Sequence, residues 1–249
     1  MIVWALFDSG NGCYAKGAKE MEGIEIYSIG IDKENKNSHF INLDLADHNY
    51  IFGDKKMFET LDKLPKPDLI IASPPCESWS IASAMAEGNA CWKRQSGDSL
   101  FEPQQKLSPF TVRDYSDYEN YQFKPRKSLL NRLNGELCTI NTIQIIEKYN
   151  PRFYVIENPG TSKIFEYIER VIGFELPFHN KTNYNNYDYP IKKPTKFASN
   201  LNLNLNTENK KGDVKFDKFS KSYNERSNIP IKLVKEIFEK IKKELDRGI

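Results

Sequence analysis

The sequence predicts an α/β fold with a mostly parallel sheet and helices on both faces, and three observations support this prediction. Over the first 75 residues, short apolar runs alternate with helical segments, as in consecutive βαβ units. A further helix, strand and helix follow between residues 135 and 172. Glycines, acids or a cysteine stand directly after the apolar runs, where an open parallel sheet binds its ligands.

The predicted elements follow from these runs in chain order. We expect the sheet strands Ile2–Phe7, Ile24–Asp32, Leu69–Ser73 and Phe153–Glu157, and antiparallel strands between Leu176 and Asn200. We expect the helices Gly12–Glu22, Asp54–Leu64, Gly135–Tyr149 and Ser162–Ile172, and an amphipathic C-terminal helix with Pro230 in its first turn, where proline is favoured.

Two segments interrupt this pattern. Residues 84–127 are polar, aromatic-rich and aperiodic, which is typical of a functional lid, a binding loop or disorder. Residues 200–222 begin as alternating Asn and Leu, which predicts a short strand with one dry face, and continue as a lysine-rich loop. We therefore expect one domain over residues 1–249, with a catalytic or recognition insertion at 77–127 and a short basic recognition segment at 201–225.

Composition narrows the class of protein. With 249 residues the chain can bury a substantial core, and no apolar run approaches the about 20 residues of a membrane span. The start of the chain has no signal-peptide pattern, and the four cysteines are too scattered for a zinc site or a disulfide framework, which predicts a reduced cytoplasmic protein without a metal. Residues 181–249 carry 16 Lys and Arg against 9 Asp and Glu, which suggests either a polyanion partner or a solvated lysine-rich helix.

The ends of the first two strands carry residues suited to a nucleoside. Gly10 and Gly12 let the backbone approach a ligand, and the helix that follows directs its N–H groups to the same place. Asp32 ends the second strand, where a carboxylate typically binds the hydroxyls of a ribose, and Asp44 ends the next extended run. A plain tight turn also explains the glycines, but together with Asp32 they favour a nucleoside-containing cofactor.

The ends of two later strands carry a cysteine and an acid. "SPPC" places Cys76 behind two prolines after the strand at residue 69, and "ENP" begins at Glu157. This order resembles the DNA cytosine-5 methyltransferases, in particular the compact type of phages and mobile elements. "YPIKKPTKFASN" from Tyr189 and "RSNIPIKLVKEIFEKI" from Arg226 are similar to two further blocks of that family.

The resemblance implies a Rossmann-like methyltransferase fold, S-adenosyl-L-methionine as methyl donor and double-stranded DNA with a flipped-out cytosine as substrate. It implies a catalytic set of Cys76 as nucleophile, Glu157 as the acid at ring N3, and Pro75 and Asn158 as supports. It implies cofactor contacts at Phe7, Gly10, Gly12, Asp32, Asp44, Pro74, Ser227, Asn228 and Ile229. It implies nucleic-acid contacts at Ser78, Ser80, Lys192, Lys193 and Thr195, and it raises a cognate restriction nuclease as a possible partner.

Two departures from the family limit what carries over. The glycine block has one extra residue after Phe7, which leaves the role of Asp8 open. The Gln-x-Arg-x-Arg signature of larger members is absent, so the cationic role falls to Lys192 or Lys193. Three alternatives stay open: methylation of an exocyclic amine, methylation of a tRNA cytosine, and a catalytically silent module that binds cofactor and nucleic acid.

Overall fold

The computed structural model describes residues 1–8, 10–81, 84–94, 110–118, 124–214, 216–219 and 222–248. Its main sheet has seven strands in the order β10-β11-β9-β4-β1-β2-β3. These strands are β1 Ile2–Leu6, β2 Glu25–Gly30, β3 Phe40–Asn42, β4 Leu69–Ala72, β9 Phe153–Pro159, β10 Phe178–Asn183 and β11 Pro194–Ser199. The five strands from β9 to β3 are parallel, while β11 runs antiparallel to β9 and β10 antiparallel to β11.

Helices cover both faces of this sheet, as the sequence predicts. The helices are α1 Cys13–Ala18, α2 Lys56–Leu61, α3 Pro125–Tyr149, α4 Ile164–Tyr167, α5 Phe216–Phe219, α6 Tyr223–Ser227 and α7 Ile231–Asp246. Alternate residues of β1 point to opposite faces, so Val3 enters the core beneath α1 and α7 while Trp4 enters the core beneath α2, α3 and α4. Among the described residues, no helix is long and apolar enough to cross a membrane.

The C-terminal helix α7 shows why the sequence folds in this way. Its buried residues Leu233, Val234, Ile237, Phe238 and Ile241 follow the three-and-four spacing of one helix face. That face packs on α1, and the contact is close at Gly17, where an added Cβ would lie 2.3 Å from the Val234 Cγ1 atom. Only glycine fits there, and α7 thereby fixes the position of α1 under the glycine block.

The segment predicted to lack structure is partly ordered. Residues of the insertion form a four-stranded antiparallel sheet from β5 Ala84–Met85, β6 Gly88–Asn89, β7 Trp92–Arg94 and β8 Phe110–Val112. The helix α3 begins at Pro125, ten residues before the predicted start at Gly135. Residues 82–83, 95–109 and 119–123 of the predicted insertion lie outside the described part of the chain.

The predicted strand after residue 200 is wrong, although its burial pattern is right. Leu203 and Leu205 are buried between exposed asparagines, but no strand pairs with them. Side chains of the main sheet hold this segment instead: the Asn180 Oδ1 atom accepts from the Leu203 N–H at 2.7 Å, and Thr182 donates to the Asn206 carbonyl at 2.6 Å. The alternation of Asn and Leu therefore predicted the buried face of this segment correctly. Among the residues that the structure describes, the backbone hydrogen bonds of a strand are absent there, and side chains of the main sheet supply hydrogen bonds to the backbone instead.

Candidate active site

A pocket of about 300 Å³ lies at the carboxyl ends of the parallel strands. Residues that follow four neighbouring strands contribute to it, as expected for the ligand side of an open α/β sheet. Many of the site residues predicted from the sequence line this pocket. They are Phe7, Asp32, Asp44, Pro74, Pro75, Cys76, Glu157, Asn158, Lys193, Ser227 and Ile229. The pocket thus collects residues that lie up to 222 positions apart in the chain.

Cys76 enters this pocket through the rigid turn after β4. The Asn158 side-chain amide donates to the Pro74 carbonyl at 2.9 Å, which joins the turn to the neighbouring strand β9. The N–H groups of Trp79 and Ser80 donate to the Cys76 carbonyl at 3.0 and 2.9 Å, so the cysteine begins a single helical turn. Cys76 is half-buried, whereas the three other cysteines are buried. Burial and the nearby Glu77 raise the pKa of the Cys76 thiol to about 11, while Lys193 opposes this shift.

Glu157 lies beside the same turn because β4 and β9 are paired in parallel. Ala72 is the register partner of Ile156, so the next residues, Ser73 and Glu157, are neighbours across the two strand ends. The Glu157 side chain is buried, and burial raises the pKa of its carboxyl above the ordinary value. Lys193 and the hydroxyls of Ser73 and Tyr184 act in the opposite direction. A carboxyl in this setting can hold a proton at higher pH than an exposed one.

Asn158 leaves an acceptor available at the pocket wall. Its Nδ2 atom donates to the Pro74 carbonyl, but its buried Oδ1 atom has no hydrogen-bond partner among the described residues. Buried polar atoms are normally paired, so an unpaired acceptor in a pocket fits a donor on a ligand.

The opposite end of the pocket holds the residues predicted to contact a cofactor. Phe7 has a φ of 59°, a left-handed conformation that side chains rarely adopt, and this places it at the pocket wall as the chain leaves β1. The Gly10 N–H donates to the Asp32 Oδ2 atom at 2.6 Å, and an added Cβ on Gly10 would lie 2.7 Å from that oxygen. Close approach of the glycine turn to Asp32 therefore requires glycine. Gly10 and Gly12 themselves do not line the pocket but shape the turn beside it.

Asp8 lies beneath this turn, and the structure gives it a structural role that the sequence left open. Its buried carboxylate accepts hydrogen bonds from the Ser28 hydroxyl at 2.7 Å and from the Asn35 amide at 3.4 Å. Burial raises the pKa of the Asp8 carboxyl, although these donors oppose the shift. Asp8 therefore ties the glycine turn to β2 and to the loop after it.

The segment before α7 closes one side of the pocket. The Cys13 thiol donates to the Asn228 Oδ1 atom, and the Ile229 N–H donates to the Cys13 sulfur, both at 3.4 Å. Ser227 and Ile229 line the pocket, whereas Asn228 faces Cys13 instead. The sequence predicted a structural or incidental role for Cys13, and the sulfur of Cys13 joins α1 to this closing segment.

The residues predicted to contact nucleic acid fall into two groups. Ser78, Ser80 and Thr195 are buried, so a contact with DNA stays a prediction that requires their surroundings to open. Lys193 lines the pocket, with its Nζ atom donating to the Arg226 carbonyl at 3.3 Å and lying 4.9 Å from the centre of the Tyr184 ring. Lys192 is exposed and instead donates to Asn209 at 2.5 Å. Of the two lysines left open by the sequence, Lys193 is the one beside Glu157.

Sequence reasoning missed several residues of the site. Asn134 and Cys138 reach the pocket from α3, Tyr14 reaches it from α1, and Tyr184 contacts Glu157 from the 3₁₀ turn after β10. Asn134 and Cys138 share a helix face by their spacing of four, but nothing local connects that face to a pocket. Tyr184 stands 27 residues from Glu157 without a distinguishing pattern.

The charges of the pocket are mainly acidic. Asp8, Asp32, Asp44, Glu77 and Glu157 line it, and Lys193 is the single cation among the described lining residues. Such a pocket suits a ligand with a positive charge. Within the described part of the chain, no cluster of His, Cys, Asp or Glu could hold a metal ion.

One family of known proteins matches part of this chain. The family model of the C-5 cytosine-specific DNA methylases matches residues 3–98, which contain β1, the glycine turn, Asp32 and Cys76. Residues 3–98 are thus similar to the C-5 cytosine-specific DNA methylases. The matched segment makes up less than half of the chain, and no curated protein matches the sequence.

Two solved structures are similar to the chain at low identity. One is a protein of an E. coli prophage described as a DNA modification methyltransferase, with 14% identity and a TM-score of 0.45 over 87% of this chain. The other is the Entamoeba histolytica methyltransferase EhMeth, with 12% identity and a TM-score of 0.46 over 85% of this chain. The chain spans 53% and 57% of the lengths of these two structures.

Proposed function

We propose that the protein is a DNA cytosine-5 methyltransferase that uses S-adenosyl-L-methionine. The observation that carries this proposal is the convergence of Cys76 and Glu157, from the ends of two paired strands, on the pocket that also contains Asp32 and Asp44. The family match over residues 3–98 supports the class of reaction.

The pocket fits the proposed cofactor in three respects. Its acidic lining suits a sulfonium cation, and Asp32 keeps acceptor capacity for a ribose beyond its bonds from the N–H groups of Gly10 and Glu34. Phe7, Leu43 and Leu45 supply apolar walls for a purine. Asp44 is exposed at the edge of the pocket, where its carboxylate can accept from an adenine amino group. When bound, S-adenosyl-L-methionine supplies an electrophilic methyl group.

Cys76 would supply the nucleophile. Carbon 5 of cytosine is a weak nucleophile, and addition of a thiolate to carbon 6 converts the ring to an enamine that is reactive at carbon 5. The Pro74-Pro75 turn and the hydrogen bond from Asn158 fix the direction of the sulfur. Because the pKa of this thiol is about 11, the sulfur is mostly protonated at neutral pH and gives its proton to solvent on its exposed side as it attacks.

Glu157 would protonate ring N3 while the sulfur adds. Its burial favours the neutral carboxylic acid, which is the form able to donate a proton or a hydrogen bond to the ring. The unpaired Oδ1 atom of Asn158 can accept from the exocyclic amino group of cytosine. After methyl transfer, the carbon 5 proton passes to water and the sulfur departs as a thiolate. The N3 proton returns to Glu157, which restores both the aromatic ring and the carboxylic acid.

Double-stranded DNA with a flipped-out cytosine is the proposed substrate, because carbon 6 of a stacked base is out of reach of a side chain. The insertion at 77–127 would close over the base as a catalytic or recognition loop, and the basic segment at 201–225 would contribute recognition. A phage or mobile-element origin, a cytoplasmic location and a cognate restriction nuclease are part of the same proposal and rest on the sequence resemblance.

Covalent trapping on DNA tests the proposal. Duplex DNA that contains 5-fluorocytosine, incubated with protein and S-adenosyl-L-methionine, should give a denaturation-resistant adduct because fluorine cannot be eliminated from carbon 5. The Cys76→Ala variant should give none, while the Cys91→Ala variant, which changes a buried cysteine, should react like the wild type.

The alternatives predict other outcomes when labelled methyl transfer to duplex DNA and to tRNA is measured beside adduct formation. A tRNA methyltransferase would transfer labelled methyl groups to tRNA and not to duplex DNA. An amino methyltransferase would keep activity in the Cys76→Ala variant, and a silent binding module would bind cofactor and form no adduct. Each of these results would overturn the proposal.

A further inference from the structure

Tyr184 holds the Glu157 carboxyl from the side opposite to β4. Its hydroxyl donates to the Glu157 Oε1 atom at 3.1 Å, and both side chains are buried. Tyr184 lies in the 3₁₀ turn Tyr184–Tyr187, between the two antiparallel strands β10 and β11. Its N–H also donates to the Lys193 carbonyl at 3.2 Å, which fixes the turn against the pocket wall.

A second hydroxyl approaches the carboxyl from the β4 side. Ser73 makes a side-chain hydrogen bond with Glu157, and its Oγ atom lies 2.6 Å from the Tyr14 hydroxyl. Tyr14 is buried on α1, in the half of the pocket next to the glycine turn. Glu157 is thus held between two hydroxyls, one on each side of its strand.

The other ionisable groups that face Glu157 are few. Lys193, ahead of β11, is the cation that favours its ionised form, and Cys76, after β4, is the neighbouring thiol. Tyr14 on α1 and Tyr184 itself are held protonated, since burial raises the pKa of both phenols well above the ordinary value. Tyr184 therefore acts as a permanent donor to Glu157 over the range in which proteins are stable.

We propose that Tyr184 is a positioning residue that, together with Ser73, orients the Glu157 carboxyl toward the pocket and stabilises its ionised form. The inference rests on the proposed function, because the orientation matters for a carboxylic acid that protonates a base. It extends that function by naming the groups that aim the acid. The family's cationic signature is absent from this chain, and the Tyr184 hydroxyl and the Lys193 ammonium occupy the side of Glu157 away from β4.

The matched pair Tyr184→Phe and Tyr187→Phe tests this role. Both tyrosines are buried in the same turn, and each change removes one hydroxyl while keeping the ring, including the ring that Lys193 contacts at Tyr184. The Tyr187 hydroxyl serves a remote loop, where it accepts from the Asn206 N–H at 3.1 Å. A loss that comes only from weaker packing or fewer buried hydrogen bonds should therefore affect both variants alike.

Two readouts separate orientation from stability. In Tyr184→Phe we expect methyl transfer to slow about tenfold, because the carboxylate that forms as Glu157 gives its proton to N3 has lost one hydrogen bond to a charged group. Cofactor affinity should be unchanged within about twofold. The infrared carbonyl band of protonated Glu157, identified by its absence in Glu157→Gln, should persist to higher pH in Tyr184→Phe, because the ionised form has lost a donor. Neither change should occur in Tyr187→Phe.

Failure of this inference is distinguishable from failure of the proposed function. If the infrared titration of Tyr184→Phe matches that of Tyr187→Phe, or if cofactor affinity falls together with the rate, Tyr184 is not a positioning residue. If the wild type forms no adduct with 5-fluorocytosine DNA, the proposed function is wrong, and the infrared titration still decides whether Tyr184 controls Glu157.

Discussion

Gly135, in the middle of α3, offers a test of how the turn that carries Cys76 is positioned. In a helix interior, replacing glycine by alanine usually stabilises by about 1 kcal/mol. Here an added Cβ would lie 2.0 Å from the Ser78 Oγ atom and 3.1 Å from both the Ser78 Cβ and the Trp79 Nε1 atoms. Ordinary contact begins near 3.4 Å, so the Ser78 Oγ atom must move by more than an ångström, while the Ser78 Cβ and Trp79 Nε1 atoms must give by a few tenths. Ser78 lies two residues after the proposed nucleophile.

The gain in helix propensity and the overpacking against Ser78 have opposite effects on stability, whereas only the overpacking affects the rate. Overpacking costs about 1–3 kcal/mol, and the gain in helix propensity offsets about 1 kcal/mol of this, so the free energy of unfolding should fall by no more than about 2 kcal/mol. A shift of about 1 Å at a reacting group can slow a reaction about 100-fold. Because the rest of the Cys76 turn must give by only a few tenths of an ångström, we expect Gly135→Ala to remain folded but to form the 5-fluorocytosine adduct at roughly one tenth of the wild-type rate.

Adduct formation under single-turnover conditions, with urea unfolding alongside, measures both quantities. The control Asn131→Ala places the same side chain on α3 and should gain stability without loss of rate. The double variant with Ser78→Gly removes the two Ser78 atoms that the new Cβ meets, and should recover most of the rate. If the Gly135→Ala protein reacts at the wild-type rate, α3 does not fix the turn that carries Cys76 through the contact of Gly135 with Ser78.

Three further predictions follow from the pocket and from the packing of α1. Because the Cys76 thiol has a pKa of about 11, its alkylation by iodoacetamide should speed up about tenfold per pH unit from pH 7 to 10, and a plateau near pH 8 would contradict this environment. Lys193 lowers the pKa of that thiol, so Lys193→Ala should slow the alkylation at pH 8 about threefold, while the matched change Lys192→Ala should leave it unaltered; equal effects would remove Lys193 from the site. Gly17→Ala should lower the free energy of unfolding by about 2 kcal/mol in urea melts, and Val234→Ala in the same chain should recover part of the loss; an unchanged melt would show that α1 and α7 do not pack closely.

The parallel strands and the residues at their ends are the part of the structure that local sequence pattern predicted well. Apolar runs predicted β1, β2, β4 and β9 to within a few residues, because a strand buried in a parallel sheet needs a continuous run of apolar side chains. Since parallel strands end at one edge, the sequence also predicted that Cys76 and Glu157 would share a site, and both line the one pocket described above.

Tertiary contacts decided what the local pattern could not. The sequence could not choose between Lys192 and Lys193, because which of two adjacent lysines faces Glu157 depends on how the segment before β11 packs against Tyr184 and the pocket. It gave no reason for Gly135, since the clash that requires glycine comes from Ser78, 57 residues earlier. It also predicted a strand at Leu203, where buried asparagine and threonine side chains supply the backbone hydrogen bonds instead.

The sequence by itself determined the class of the fold, and it predicted the edge of the sheet and the two residues at which we propose that the reaction takes place. Each of these depends on short-range order: the period of apolar residues, the rigidity of adjacent prolines and the residue type after a strand. The tertiary structure alone decided which groups surround the acid, how deeply the thiol is buried and which helix supports its turn. These properties depend on packing between segments that lie far apart in the chain. The spacing of residues within one segment does not show which distant segment will bury it.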